Sequence, residues 1–166
     1  MQPVSPVLDR GTRSFNASVD LESSAEDVFS LLCSIEKWPV WMPLVRSASR
    51  VTHGEPIALG SEIVLRSQTP GEGEELYEVD QFITNHHLSL VGAYSIRRRV
   101  EFRVEQKMTR SRLHVRLCYP AYHGRIVALL EWWRRGRKRF AQLQGAMTNF
   151  KGLVEYRRND PVLADL

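Results

Sequence analysis

Residues 126–156 read IVALLEWWRRGRKRFAQLQGAMTNFKGLVEY, and the spacing within them decides the fold. Ile126, Leu129, Leu130, Trp133, Phe140, Leu143, Met147, Phe150 and Val154 recur at helical intervals and form one apolar stripe. Arg134, Arg135, Lys138 and Arg139 fall mostly on the opposite side. A helix of this length, at about 1.5 Å per residue, is a rod of roughly 46 Å. Gly136, Gly145 and Gly152 each weaken such a helix by about 1 kcal/mol relative to Ala. Their expected compensation is close approach of the backbone to another surface. A stripe this long needs a broad apolar partner, and the rest of the chain must supply it.

The upstream sequence supplies a sheet. Alternation predicts strands near 45–52, 60–68, 75–83, 87–91, 95–106 and 111–119. Turn signals separate them: His53-Gly54-Glu55-Pro56, Pro70-Gly71-Glu72-Gly73, Thr84-Asn85-His86, Gly92-Ala93 and Lys107-Met108-Thr109-Arg110. Connections this short join antiparallel neighbours and leave no room for crossover helices, which excludes a parallel sheet and a dinucleotide-binding βαβ unit. Farther upstream, Phe15, Ala17, Val19 and Leu21 alternate with polar residues as in a half-buried strand. Ser23-Ser24-Ala25-Glu26 reads as a capping box, with Ser23 as the cap and Glu26 reaching back. Val28, Leu31, Leu32 and Ile35 then give a short amphipathic helix. Residues 35–43, with Pro39 and Pro43, make a second short helical piece that one regular helix cannot traverse.

The predicted class is therefore α+β: a seven-stranded curved antiparallel sheet around a long C-terminal helix, with two short helices between strands 1 and 2. Residues 1–13 read as a flexible arm, 14–157 as a single domain and 158–166 as a tail. The 166 residues, 43% hydrophobic and 25% charged, suit one domain and argue against disorder or a disulfide-stapled scaffold. Cys33 and Cys118 stand far apart among apolar neighbours, which points to buried thiols and a reducing cytoplasm. No run of about 18 apolar residues offers a membrane-spanning helix, and MQPVSPVLDRGTR lacks the apolar centre of a signal peptide. Charge is uneven. Residues 1–96 hold 6 Lys+Arg against 13 Asp+Glu, whereas residues 97–139 hold 14 against 3. That asymmetry suggests an acidic partner or ligand.

The order of elements carries a resemblance. Glu26-Asp27-Val28-Phe29 opens the first helix, Trp38-Pro39-Val40-Trp41 lies in the second, and Leu153-Val154-Glu155-Tyr156 closes the last. This pattern, over about residues 14–157, resembles the START-related, Bet v 1-like helix-grip (SRPBCC) superfamily, and within it the polyketide cyclase/dehydrase and lipid-transport group. The resemblance implies a hydrophobic small-molecule ligand, such as a lipid, polyketide or aromatic compound, held between helix and sheet. It equally admits an aromatase/cyclase or dehydratase acting on a carrier-bound substrate. The aromatase/cyclase pattern has a Trp-x-Ser-x-Arg-like strand after a Gly. Here Gly60-Ser61-Glu62-Ile63-Val64-Leu65-Arg66-Ser67 lacks the Trp and keeps Arg66. No cofactor is implied.

Strand parity nominates site residues. Arg98 falls on the apolar face with Ile96, Val100, Phe102 and Val104, where an unpaired guanidinium would be costly. It either meets a ligand carboxylate, phosphate or carbonyl, or it pairs with an internal acid or snorkels to water. Tyr77, Val79, Gln81 and Ile83 form the inward set of strand 75–83, so Tyr77 and Gln81 either present polar groups to a ligand or are ordinary core. Leu113, Val115, Leu117 and Tyr119 face inward, which sends His114, Arg116 and Cys118 outward. Alternate turns of a meander share one end, which brings Tyr94, Tyr122 and His123 to one rim. There His123 is either a general acid/base or an exposed loop histidine. Arg98, Tyr77 and His123 are the catalytic candidates. The expected ligand-binding set joins Tyr77, Gln81, Tyr94, Arg98, Leu117, Tyr119 and Tyr122 to Trp38, Trp41, Arg66 and Phe102, and to Trp133, Phe140 and Met147 of the long helix.

Other chemistry is not expected. His86 and His87 are adjacent and so point to opposite faces, without ligands at metal spacing. Gly71-Glu72-Gly73-Glu74 is acidic where a phosphate cradle needs a lysine. The basic run after Trp132-Trp133, with Arg134, Arg135, Lys138 and Arg139, reads in three ways: a dock for an acidic carrier protein, a contact with anionic lipid, or a solvated helix face. Nucleic acid is not expected, since the other face of that helix is needed by the core.

Overall fold

The computed structural model describes residues 12–52, 54–68, 73–120 and 137–159. In chain order they form β1 (Thr12–Leu21), α1 (Ala25–Cys33), a 3-10 turn (Ile35–Lys37), α2 (Trp38–Trp41), β2 (Val45–Arg50), β3 (Glu62–Ser67), β4 (Glu74–Ile83), β5 (His87–Gly92), β6 (Ser95–Lys107), β7 (Arg110–Pro120) and α3 (Arg137–Asn159). The strands make one seven-stranded sheet in the order β1-β7-β6-β5-β4-β3-β2, antiparallel throughout. The helical segment after β1 carries the chain from one sheet edge to the other, so the first strand pairs with the last. β1 begins at Thr12, paired with Pro120, so residues 12 and 13 belong to the sheet rather than to an arm.

Local chemistry explains the short helices. The cap of α1 is Ser24, not Ser23: the Asp27 amide donates to Ser24 Oγ at 3.1 Å, and Ser24 Oγ donates to the Asp27 carboxylate at 2.6 Å. Ser23 bonds the same carboxylate from outside, at 3.1 Å. Asp27 replaces Glu26 because it stands three residues after the true cap, which is where a capping box requires the acid. Pro39 lies in the first turn of α2, where its missing N–H removes no hydrogen bond.

α3 presents Leu143, Ala146, Met147, Phe150 and Val154 to the sheet and continues to Asn159 rather than stopping at Tyr156. The part of the predicted rod from 126 to 136 lies outside the described residues. Two expectations about this helix are corrected. Phe140 is 45% exposed, because Arg139 lies nearer the centre of the buried stripe and sets its guanidinium 4.1 Å from the Tyr119 ring. A Cβ added at Gly145 or Gly152 would meet nothing within 4 Å, so these glycines mark no close approach. Both stand away from the packed face.

The middle of the fold is filled by aromatic rings. Trp38, Trp41, Phe102 and Phe150 are fully buried and meet edge to face, with centroids 5.2 Å apart for Trp38–Phe102 and 4.8 Å for Trp41–Phe150. Such contacts each add about 0.5–1.5 kcal/mol beyond the area they bury. The Trp38 indole N–H donates to the Leu32 carbonyl at 2.8 Å, which ties the cluster to α1.

Candidate functional site

Beyond the aromatic cluster the interior opens. A cavity of about 60 Å³ is walled by Trp38, Met42, Leu44 and Val45, by Leu65, Arg66 and Ser67 of β3, and by Gly73. Glu75 and Tyr77 of β4, Arg98 and Val100 of β6, and Leu117 and Tyr119 of β7 close it. Ligand pockets commonly run to about 300–1,000 Å³. The described walls therefore enclose room for a head group or a few waters. Residues 69–72 and 121–136 lie outside the described residues.

Three polar side chains meet at the cavity. Arg98 and Glu75 share an ion pair, Nη1 to Oε2 at 2.8 Å, with side chains only 26% and 33% exposed. The Tyr77 hydroxyl donates to the same Glu75 oxygen at 3.0 Å. Pleating explains how they converge: Glu75 and Tyr77 share one face of β4, and Arg98 shares its face of β6 with Val100 and Phe102. Gly92 of β5 is the register partner of Tyr77 and so faces the same side. Having no side chain, it leaves β4 and β6 within reach of each other. Burial, followed by the negative charge of Glu75, pushes the Tyr77 phenol far above its usual 10.0, so Tyr77 stays protonated and acts as a donor.

Farther out, Arg66 is half exposed and pairs with Glu74 at 2.8 Å. Tyr119 lies between Phe15, at 6.3 Å in a T-shaped contact, and the Arg139 guanidinium.

Of the residues the sequence nominated, Trp38, Arg66, Tyr77, Arg98, Leu117 and Tyr119 come together here. Trp41, Phe102 and Met147 are buried in the packed core and do not line the cavity. Tyr94 is 89% exposed at the β5–β6 turn. Tyr122, His123, Trp133, Arg134 and Arg135 lie outside the described residues, and Lys138 is exposed. The inward set of β4 needs a correction. A register irregularity between Val79 and Gln81 flips the parity, so Gln81 and Ile83 are exposed while Phe82 turns in against Phe29 at 5.5 Å. Glu75 was missed, although it has the parity of Tyr77.

The charge asymmetry also finds partners inside the molecule. Asp20 of the acidic half holds Arg112 through two contacts of 2.6 and 2.7 Å, and Asp80 holds Arg99 at 2.7 Å. Glu22 holds Arg110 at 2.7 Å. The sheet order makes this possible, because basic β6 and β7 lie between β1 and the β4–β5 hairpin. Among the described residues no cluster of three or more His, Cys, Asp or Glu could hold a metal, and no helix is long and apolar enough to cross a membrane. Cys118 is buried and Cys33 half-buried, both as free thiols.

Sheet, helix and cavity together define a helix-grip protein. No family model matches the chain, and no curated protein matches it in sequence. Solved structures do match. A START superfamily protein from Mycobacterium smegmatis is 19% identical, with 86% of this chain and 97% of that one covered at a TM-score of 0.60. Zhui aromatase/cyclase from Streptomyces sp. R1128 is 12% identical, with 88% and 95% covered at 0.61. Ara h 8.0201 is 14% identical, with 88% and 99% covered at 0.55. The chain has the START-like, Bet v 1-like fold.

Proposed function

We propose that the protein binds a hydrophobic small molecule, a lipid, polyketide or aromatic compound, between α3 and the sheet. The observation that carries this reading is a partly buried Arg98, with Glu75 and Tyr77, facing open space on the apolar concave face. A fold that needed only stability would fill that end as it fills the aromatic end. Affinity would come from apolar burial, at roughly 25 cal/mol per Å², and orientation from the polar cluster. Native mass spectrometry of the purified protein tests this: an apolar compound should co-purify or be taken up from a lipid extract. Leu117→Trp, which fills the cavity, should abolish uptake. No uptake by the wild-type protein, or undiminished uptake by the variant, contradicts the reading.

A second reading is an aromatase/cyclase or dehydratase, favoured by the likeness to Zhui aromatase/cyclase and by the arginine–tyrosine pair. Arg98 would stabilise an enolate oxygen, and Tyr77, held protonated and donating to Glu75, would fix that carboxylate beside Arg98 rather than act as a base. Product analysis with a carrier-bound poly-β-ketone, comparing wild type with Arg98→Ala and Tyr77→Phe, separates the readings. Identical products from all three remove the catalytic one.

A further inference from the structure

The ligand-binding reading leaves open which polar end the cavity accepts, and the three groups at its mouth bear on that choice. Arg98 is the cation that a fatty acid or other carboxylate would seek, yet Glu75 already holds it at 2.8 Å. Tyr77 spends its hydroxyl hydrogen on the same carboxylate oxygen. Among the described residues this cluster comprises one guanidinium, one carboxylate and one phenol that burial keeps protonated, which sum to zero charge at neutral pH. A ligand carboxylate brought to Arg98 would set two anions against one cation in a partly buried site, where like charges are costly. A ligand ammonium meets the mirror-image problem, since the carboxylate it would seek is already matched. An uncharged carbonyl or hydroxyl oxygen has neither difficulty, because it can accept from the guanidinium while Glu75 stays in place.

We infer that the cavity selects ligands whose polar end is uncharged (a ketone, ester, alcohol or phenol) and that Glu75 is the residue that turns carboxylates away. The inference rests on the ligand-binding reading and narrows it. Glu75 sets specificity here by cancelling a charge, while the apolar walls supply affinity. Removing either partner of the pair should therefore change which ligand is preferred as well as how tightly any ligand is held.

The test is isothermal titration at neutral pH with decan-1-ol, decanoate and decylammonium, which share a chain and differ in head charge. Wild type should bind the alcohol at least about tenfold tighter than either ion. Glu75→Gln should make decanoate the preferred ligand, and Arg98→Gln should make decylammonium preferred. Glu78→Gln, exposed on the other face of β4, should keep the wild-type order. Thermal melts check that each variant is folded, and if Glu75→Gln is not, Arg98→Gln carries the comparison. Decanoate binding to wild type as tightly as the alcohol overturns the inference, as does an order unchanged in the folded variants. If none of the three ligands binds wild type, the ligand-binding reading itself falls and takes this inference with it. Alcohol binding without a swap of preference leaves that reading standing and removes only the inference.

Discussion

Phe102 and Arg98 point to the same side of β6, with only Val100 between them on that face, and the interior changes character over that short distance. Around Phe102 the space is closed by Trp38, Trp41 and Phe150, all fully buried and in edge-to-face contact. Around Arg98 the walls stand back, and an ion pair and a phenol hydroxyl occupy a face that strand parity assigns to apolar residues. The first end is built as a core, with contacts that repay tight packing. The second tolerates groups whose burial is costly and keeps room beside them. Stability should therefore reside in the aromatic end and recognition in the polar one.

The sharpest way to break that division is to truncate both ends. Phe102→Ala or Trp41→Ala should lose about 3–5 kcal/mol in chemical denaturation. Tyr77→Phe, which keeps the ring and removes one hydrogen bond, should lose only about 0.5–1.5 kcal/mol. Equal losses would mean that the two ends are not differently built.

A pH series sharpens the comparison from the other side. Tyr77 in the unfolded chain ionises near its usual 10.0, whereas in the folded chain it holds its proton to higher pH. The unfolded state therefore binds fewer protons above pH 10.0, and stability falls as pH rises through that region. Tyr77→Phe should show a shallower alkaline loss than wild type in melting temperature measured from neutral pH upward. Identical slopes would place the phenol outside any buried cluster.

The smallest effect concerns α3. Gly145→Ala and Gly152→Ala add a methyl group on the unpacked side of the helix, where nothing lies within 4 Å. Each should stabilise by up to about 1 kcal/mol. Destabilisation would show that dense packing extends around the helix to that side.

These differences bear on what could be seen in the sequence. The strands were legible because each is an alternating run bounded by short turns, and those signals act locally. Arg98 was legible for the same reason, as the one charge among Val100, Phe102 and Val104. Its partner was not singled out, because Glu75 lies two strands away across β5, and a pairing at that distance leaves no local signal. Gln81 and Ile83 were misplaced because the irregularity after Val79 reverses every side chain beyond it, and no glycine or proline marks the spot. The helix glycines misled for a different reason: helical spacing shows that a glycine is present, but not whether a neighbour is near it. The charge asymmetry suggested an acidic partner, and for Arg99, Arg110 and Arg112 the sheet order supplies acids from within.

The claim that one end recognises and the other end packs is tested most directly by backbone amide chemical shifts during titration with decan-1-ol. Saturable changes are expected at Tyr77, Val100, Leu117 and Tyr119, with Trp41, Phe150 and Val154 unmoved. Changes confined to the aromatic end, or none that saturate anywhere, would contradict it.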